Sequence, residues 1–153
     1  MTIPHEIVEI ITGFIGTCGF AVLFNVRGKQ FLFSALGGLF SWTLFVIFSQ
    51  FIPGEVVNYF LVSFLMSIYA EVMARKLKSP ASAFATLSLI PLIPGGSLYY
   101  TMAYAFEADF DRFLDKAVYT LQLAAALALG VIVATVLTRM ILEWLQKLRA
   151  VKR

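Results

Sequence analysis

The sequence predicts an all-α integral membrane protein with five transmembrane helices, the fourth broken at a Pro-x-x-Pro-Gly-Gly segment. Three observations carry this. First, charged residues make up 14% of the chain and hydrophobic ones 60%, with a mean hydropathy of +0.86, whereas a soluble domain carries about 25% charge. Second, five apolar segments each approach the roughly 20 residues that a helix needs to cross the hydrocarbon core. Third, the basic residues collect in alternate connections, as topology requires. The 153 residues accommodate about five or six such spans and leave no room for a soluble domain, so residues 1–153 are expected to form one transmembrane domain.

The spans follow in order. The first covers 7–24, the second 31–51, the third 56–74, the fourth 84–106 and the fifth 118–142. Nothing basic precedes the first apolar run in Met1-Thr2-Ile3-Pro4-His5-Glu6, so this stretch does not have the form of a cleaved signal peptide. Small residues four apart, Thr12/Gly16, Ser34/Gly38 and Gly37/Ser41, share helix faces. Such faces let backbones approach closely in a membrane, within the subunit or against another chain. Trp42 and Trp144 fit interfacial anchoring or packing. The fourth span contains Pro91, Pro94, Gly95 and Gly96 near its middle. Proline removes a donor and clashes with the preceding turn, and glycine weakens a helix, so the helix must break there. The freed N–H and C=O groups find no water in lipid and must be buried in protein or line a wet cavity. A packing kink and a substrate-holding break are the two readings of such a site.

Ten of the twelve lysines and arginines mark one side. Arg27 and Lys29 follow span one, Arg75, Lys76 and Lys78 follow span three, and Arg139, Lys147, Arg149, Lys152 and Arg153 end the chain. The other side has Arg112 and Lys116, diluted by Glu107, Asp109, Asp111 and Asp115. An N-terminus outside and a C-terminus in the cytoplasm satisfy the alternation at every loop. A re-entrant fourth segment would put acidic and basic loops on one side, so a broken span that crosses is expected. The 107–116 loop is expected to be a solvated amphipathic turn with Phe106, Phe110 and Phe113 at the interface, in preference to a cation-gathering mouth.

The polar residues exclude several chemistries. Cys18 and His5 are the only cysteine and histidine, so no disulfide and no metal or haem ligand set is expected. The net charge of +3 lies in short membrane-side loops and is not a nucleic-acid patch. No nucleophile–base–orienter set, paired catalytic carboxylates or phosphate loop occurs among Asn25, Gln50, Asn58, Ser63, Ser67, Thr101, Thr120 and Gln122, so neither an enzyme nor a cofactor is expected. Glu9, about one turn into span one, and Glu71, about one turn from the basic end of span three, are the acidic candidates for proton coupling. Arg75 stands four residues after Glu71, on the same face, where it can neutralise it.

Two segments resemble a known family. Gly19-Phe20-Ala21-Val22-Leu23-Phe24-Asn25-Val26 ends span one, and Ile90-Pro91-Leu92-Ile93-Pro94-Gly95-Gly96-Ser97-Leu98-Tyr99-Tyr100-Thr101-Met102 breaks span four. In order and spacing they resemble the threonine/serine exporter (ThrE-like) family, and within it the small membrane subunit of the split, YjjB-type form. The resemblance implies export of small hydrophilic metabolites across the bacterial inner membrane, threonine and serine for the family and a dicarboxylate such as succinate for the split form. It also implies a larger partner subunit of the YjjP type. A helix N-terminus at the break suits a substrate carboxylate. The backbone of Gly95, Gly96 and Ser97, released by Pro91 and Pro94, is therefore expected to cup it, with Tyr99, Tyr100 or Thr101 adding hydroxyls and Asn25 a polar contact from span one. Five helices enclose a small cavity at best, so a hetero-complex or homo-oligomer within the lipid bilayer is expected. The competing reading is a non-transporting scaffold that stabilises a larger membrane partner.

Overall fold

Apolar residues are spread round nearly the whole circumference of each long segment, which suits helices touched by lipid on one side and protein on the other. The computed structural model describes residues 5–151. Met1–Pro4, on which the signal-peptide reading drew, and the basic pair Lys152 and Arg153 lie outside the described residues. Within them run α1 (His5–Leu23), α2 (Gly28–Phe51), α3 (Glu55–Leu77), α4 (Ala81–Leu89), a 3₁₀ turn (Ile90–Leu92), α5 (Gly95–Phe106) and α6 (Phe110–Val151). Helices α1, α2, α3 and α6 are each long and apolar enough to cross a membrane, and the α4–α5 pair passes the same test as a unit bent by 58°.

Side-chain contacts fix the directions. Thr17 of α1 meets Gly38 of α2, while Gly13 lies beside Trp42, so α1 and α2 are antiparallel. Tyr69 donates to the Phe33 carbonyl at 2.7 Å and Gln30 reaches Ser79 at 2.6 Å, so α2 and α3 are antiparallel too. Helices α3 and α6 are parallel: Glu55 meets Tyr119, Ser63 meets Gly130, and Glu71 and Arg139 line one crevice. Two parallel helices need a return between them. The α4–α5 pair provides it, running from the Leu77 end to the Glu55 end.

Three helix ends carry non-glycine residues in the left-handed region: Asn25 (φ 54°), Lys78 (φ 51°) and Ala108 (φ 55°). Each closes a Schellman-type end, with Val26 N–H bonded to Ala21 C=O at 2.9 Å, Ser79 to Ala74 at 2.9 Å and Asp109 to Tyr104 at 3.1 Å. Orphan carbonyls are thereby satisfied without water. The expected loop at 107–116 is largely helical instead. Asp109 accepts from the backbone N–H of Arg112 at 3.2 Å, an N-cap that starts α6. The segment expected at 118–142 is thus the middle of a helix of 42 residues, about 63 Å long at 1.5 Å rise per residue.

The small-residue faces sort themselves. Ser34, Gly37, Gly38 and Ser41 are buried inside the subunit. On α1 the packing pair is Gly13 with Thr17, not Thr12 with Gly16, because a Cβ on Gly16 would meet nothing within 4 Å. At Gly130 it is backbone that stands close: a Cβ there would stand 2.0 Å from Ser63 Oγ and 2.5 Å from the Phe60 carbonyl oxygen. Backbone cannot retreat as a side chain can. Gly130→Ala should therefore destabilise the purified protein by about 1–3 kcal/mol, whereas Gly16→Ala should stay within about 0.5 kcal/mol of wild type; melting temperatures in detergent check both. Ala108→Gly should stabilise by roughly 1 kcal/mol by relieving the left-handed alanine, measured in the same way.

Candidate functional site

The break is built by four residues in sequence. Pro91 converts the end of α4 into the 3₁₀ turn, closed by Ile93 N–H to Ile90 C=O at 3.1 Å. A residue before proline is pushed out of the helical region, and Ile93 is extended (φ −62°, ψ 124°). Pro94 (φ −73°, ψ 58°) centres an inverse γ-turn, in which Gly95 N–H reaches Ile93 C=O at 2.6 Å. Helix α5 then starts, and its first regular bond is Leu98 N–H to Pro94 C=O at 2.9 Å. The N–H groups of Gly96 and Ser97 precede that bond and have no backbone partner among the described residues. No side chain caps this end. Gly95 and Gly96 are exposed, and a Cβ at either would meet nothing within 4 Å.

The break lies level with the middle of α1. Pro91 packs beside Gly13, halfway along α1, and Leu92 is fully buried in the cluster that holds Val62, Met66 and Leu123. Two clefts approach it from opposite ends. A groove of about 180 Å³ is lined by Glu9, Thr12, Gly13, Trp42 and Pro91. The Trp42 Nε1 is buried and has no partner among the described residues. From the other end, a crevice of about 400 Å³ between α3, α4 and α6 reaches up to Leu89.

The expected site residues divide. Pro91, Pro94, Gly95, Gly96 and Ser97 form one continuous feature. Ser97 and Thr101 turn toward α6, where Ser97 Oγ lies 2.8 Å from Thr120 Oγ1 and Thr101 Oγ1 lies 3.1 Å from it. Thr120 itself donates to the Lys116 carbonyl at 2.7 Å. Tyr99 and Tyr100 are exposed, ring edge to ring face with centroids 5.5 Å apart. Asn25 is not brought to the break. It occupies the left-handed cap of α1 and accepts from Arg27 Nε at 2.9 Å. Twelve positions separate it from Gly13, about 18 Å along the helix. Glu9 faces His5 Nδ1 at 3.0 Å, and Glu71 pairs with Arg75 at 3.3 Å.

Sequence reading missed the Thr120 hub and the basic groups above it. Lys116 Nζ lies 5.9 Å from the Tyr100 ring and 5.0 Å from the Tyr119 ring. The Thr120 hub and the Tyr100 contact join α5 to α6 across a distance in sequence that no local pattern shows, while the Tyr119 contact is local to α6. Among the described residues no cluster of three metal-ligating side chains occurs.

Comparison with known proteins decides the family. The family model described as threonine/serine exporter, ThrE, matches residues 9–137. The chain belongs to the threonine/serine exporter family. That match spans α1 through most of α6 and includes the break. No curated protein and no solved structure gives a significant match. A threonine/serine exporter of this build is a multi-pass membrane protein of a transport family. In this exporter, Thr120→Val should remove the hydroxyl shared by Ser97 and Thr101 and lower stability by about 1 kcal/mol. Thr120→Ser should hold near wild type, with melting temperature as the measure.

Proposed function

We propose that this exporter chain is one subunit of a secondary transporter that moves small carboxylate-bearing metabolites out across the bacterial inner membrane, together with a larger partner subunit. The observation that carries the reading is the pair of N–H groups on Gly96 and Ser97, which have no hydrogen-bond partner among the described residues at a break level with the middle of α1. Two unpaired backbone donors cannot face lipid tails. A wet path, or a second chain that completes one, is what suits them. At a helix N-terminus they present partial positive charge to an anion.

In this reading the α4–α5 pair is the fourth of five crossings, with the N-terminus outside and the basic ends of α1, α3 and α6 in the cytoplasm. The parallel packing of α3 and α6 supports that arrangement, because a re-entrant hairpin between them would leave them antiparallel. The substrate carboxylate rests on the Gly95–Gly96–Ser97 backbone, and Tyr99 and Tyr100, exposed beside it, supply hydroxyl contacts. Thr101 and Thr120 hold α5 in position through Ser97. Glu9 in one cleft and Glu71 in the other are the groups through which proton movement would couple to transport.

The test is efflux of radiolabelled threonine, serine and succinate from cells that contain this subunit, its partner, both or neither. Export of a substrate only with both chains present is the expected result. Gly96→Leu should stop export while the subunit remains in the membrane, since a side chain there meets no neighbour and the fold can absorb it. Normal export by this stably inserted variant would remove the break from the substrate path.

A further inference from the structure

Helix α6 lies at the edge of the bundle and packs chiefly on α3 and α5. Its inner side carries Leu123, Ala126, Gly130 and Ala134, all buried. Its outer side carries a second row, Gln122, Ala125, Leu129, Ile132 and Val136, all exposed. The positions in this row alternate by three and four, which is the spacing of a seam between two supercoiled helices.

The apolar members of the row are satisfied by lipid, because acyl chains are as apolar as they are. Gln122 is different. It stands six residues past Lys116, about 9 Å farther along the axis and within the apolar run. The side-chain hydrogen bonds beside it belong to Tyr119 and Thr120, and its own amide makes none with a described residue. Thr135 and Thr138, farther along the same helix, return their hydroxyls to carbonyls one turn back, as a short side chain readily does. Gln122 lines a groove of about 390 Å³ whose other wall includes Val57 and Phe60 of α3, and no other side chain lining that groove is polar. An amide without a partner in hydrocarbon is costly, and a second chain laid on this face relieves the cost if it brings a polar group to the same depth.

We propose that a second copy of this chain packs on the Gln122–Val136 face of α6, with the two Gln122 amides hydrogen-bonded to each other across a two-fold axis along the membrane normal. Copies of one chain insert with one orientation, so the axis that relates them runs along the normal and identical residues lie at one depth. A carboxamide holds both donors and an acceptor, so at that depth Gln122 is complementary to itself. A chain of different sequence would have to carry a polar group at the same level. Ala125, one turn on, lets the two helices approach closely. The face also lies clear of α5: Thr120, on which α5 docks, is about 200° round the helix from Gln122. The proposal therefore goes beyond the export reading and stands without it, and it leaves the flank of α5 free for the larger partner of that reading.

Oxidative cross-linking of single-cysteine variants in membranes, with and without the larger partner, tests the interface. With Cys18→Ser removing the native thiol, Ala125→Cys and Ile132→Cys should each give a disulfide-linked dimer of this chain. Ala124→Cys and Ala128→Cys, also exposed but on other faces of α6, should not. Energy transfer between labelled copies in liposomes, over a range of protein-to-lipid ratios, measures the strength of association. Gln122→Leu should weaken it about threefold to tenfold, the scale of a hydrogen bond between membrane helices, and Gln122→Asn, which keeps an amide, should restore part of it. Equal cross-linking at all four positions, cross-links from 125 or 132 to the larger partner in place of a second copy, or no self-association at any ratio would overturn the proposal. Association that Gln122→Leu leaves unchanged would overturn it too, because the choice of a second copy rests on the amide. A cross-linked dimer without efflux would dismiss the export reading and keep the interface, and efflux by a chain that shows no self-association would do the reverse.

Discussion

A polar backbone group inside a bilayer has no water to turn to, and this constraint organises the whole chain. Long α-helices meet it trivially. Their ends meet it through left-handed caps at Asn25, Lys78 and Ala108 that return donors to the last carbonyls. The Pro91–Gly96 segment meets it only in part. The 3₁₀ bond to Ile90, the γ-turn bond to Ile93 and the first α5 bond to Pro94 repair most of the interruption. Two donors remain. The Leu87 carbonyl, whose helical donor position is taken by Pro91, also has no bond outside its own helix, so the break leaves backbone polarity of both signs.

The surrounding packing holds that place steady from one side only. Gly130 lets α6 lie against the α3 backbone, and Leu92 anchors the 3₁₀ turn in the core that these two helices share with α2. Helix α5 leaves this core at 58° and docks on α6 through hydroxyls, Ser97 and Thr101 on Thr120. Its other faces are bare: Leu98, Tyr99, Met102 and Phe106 are exposed. Hydroxyl contacts between membrane helices are modest in strength. The half-helix that carries the free donors is buried at Thr101 alone and packs chiefly on α6.

The break, the alternation of basic ends and the set of long apolar segments were legible because each is written in neighbouring residues. Proline and glycine act on their own backbone, and a charge acts on the loop that bears it. What could not be read depends on partners far away in sequence. Gly13 rather than Gly16 packs because of where Pro91 and Trp42 stand. The resemblance points to Asn25, in the segment that ends span one, as a polar contact at the break. Its backbone conformation shows a capping role, and no periodicity distinguishes a capping asparagine from a binding one. The start of α6 was placed too late because acidic residues suggest a loop, while Asp109 and Asp111 at a helix N-terminus favour the helix. Arg139 looked like a topology charge from its position alone. Only the parallel packing of α3 and α6 puts it in the same crevice as Glu71.

The two clefts and the break form a sequence of environments that matches the needs of a small charged solute. A solute leaving water at the basic end loses hydration, which is affordable only if charges of the right sign replace it. Glu71 and Arg139 stand there, about two turns inside. At mid-depth side-chain charge is too costly to hold permanently, and there the chain offers backbone donors and a helix end in place of lysine or arginine. Beyond the break, the groove lined by Glu9, Thr12 and Trp42 is polar again. The missing wall is on the α5 side, where Gly95 and Gly96 open outward. In the export reading proposed above, this open side is the wall that a second chain completes.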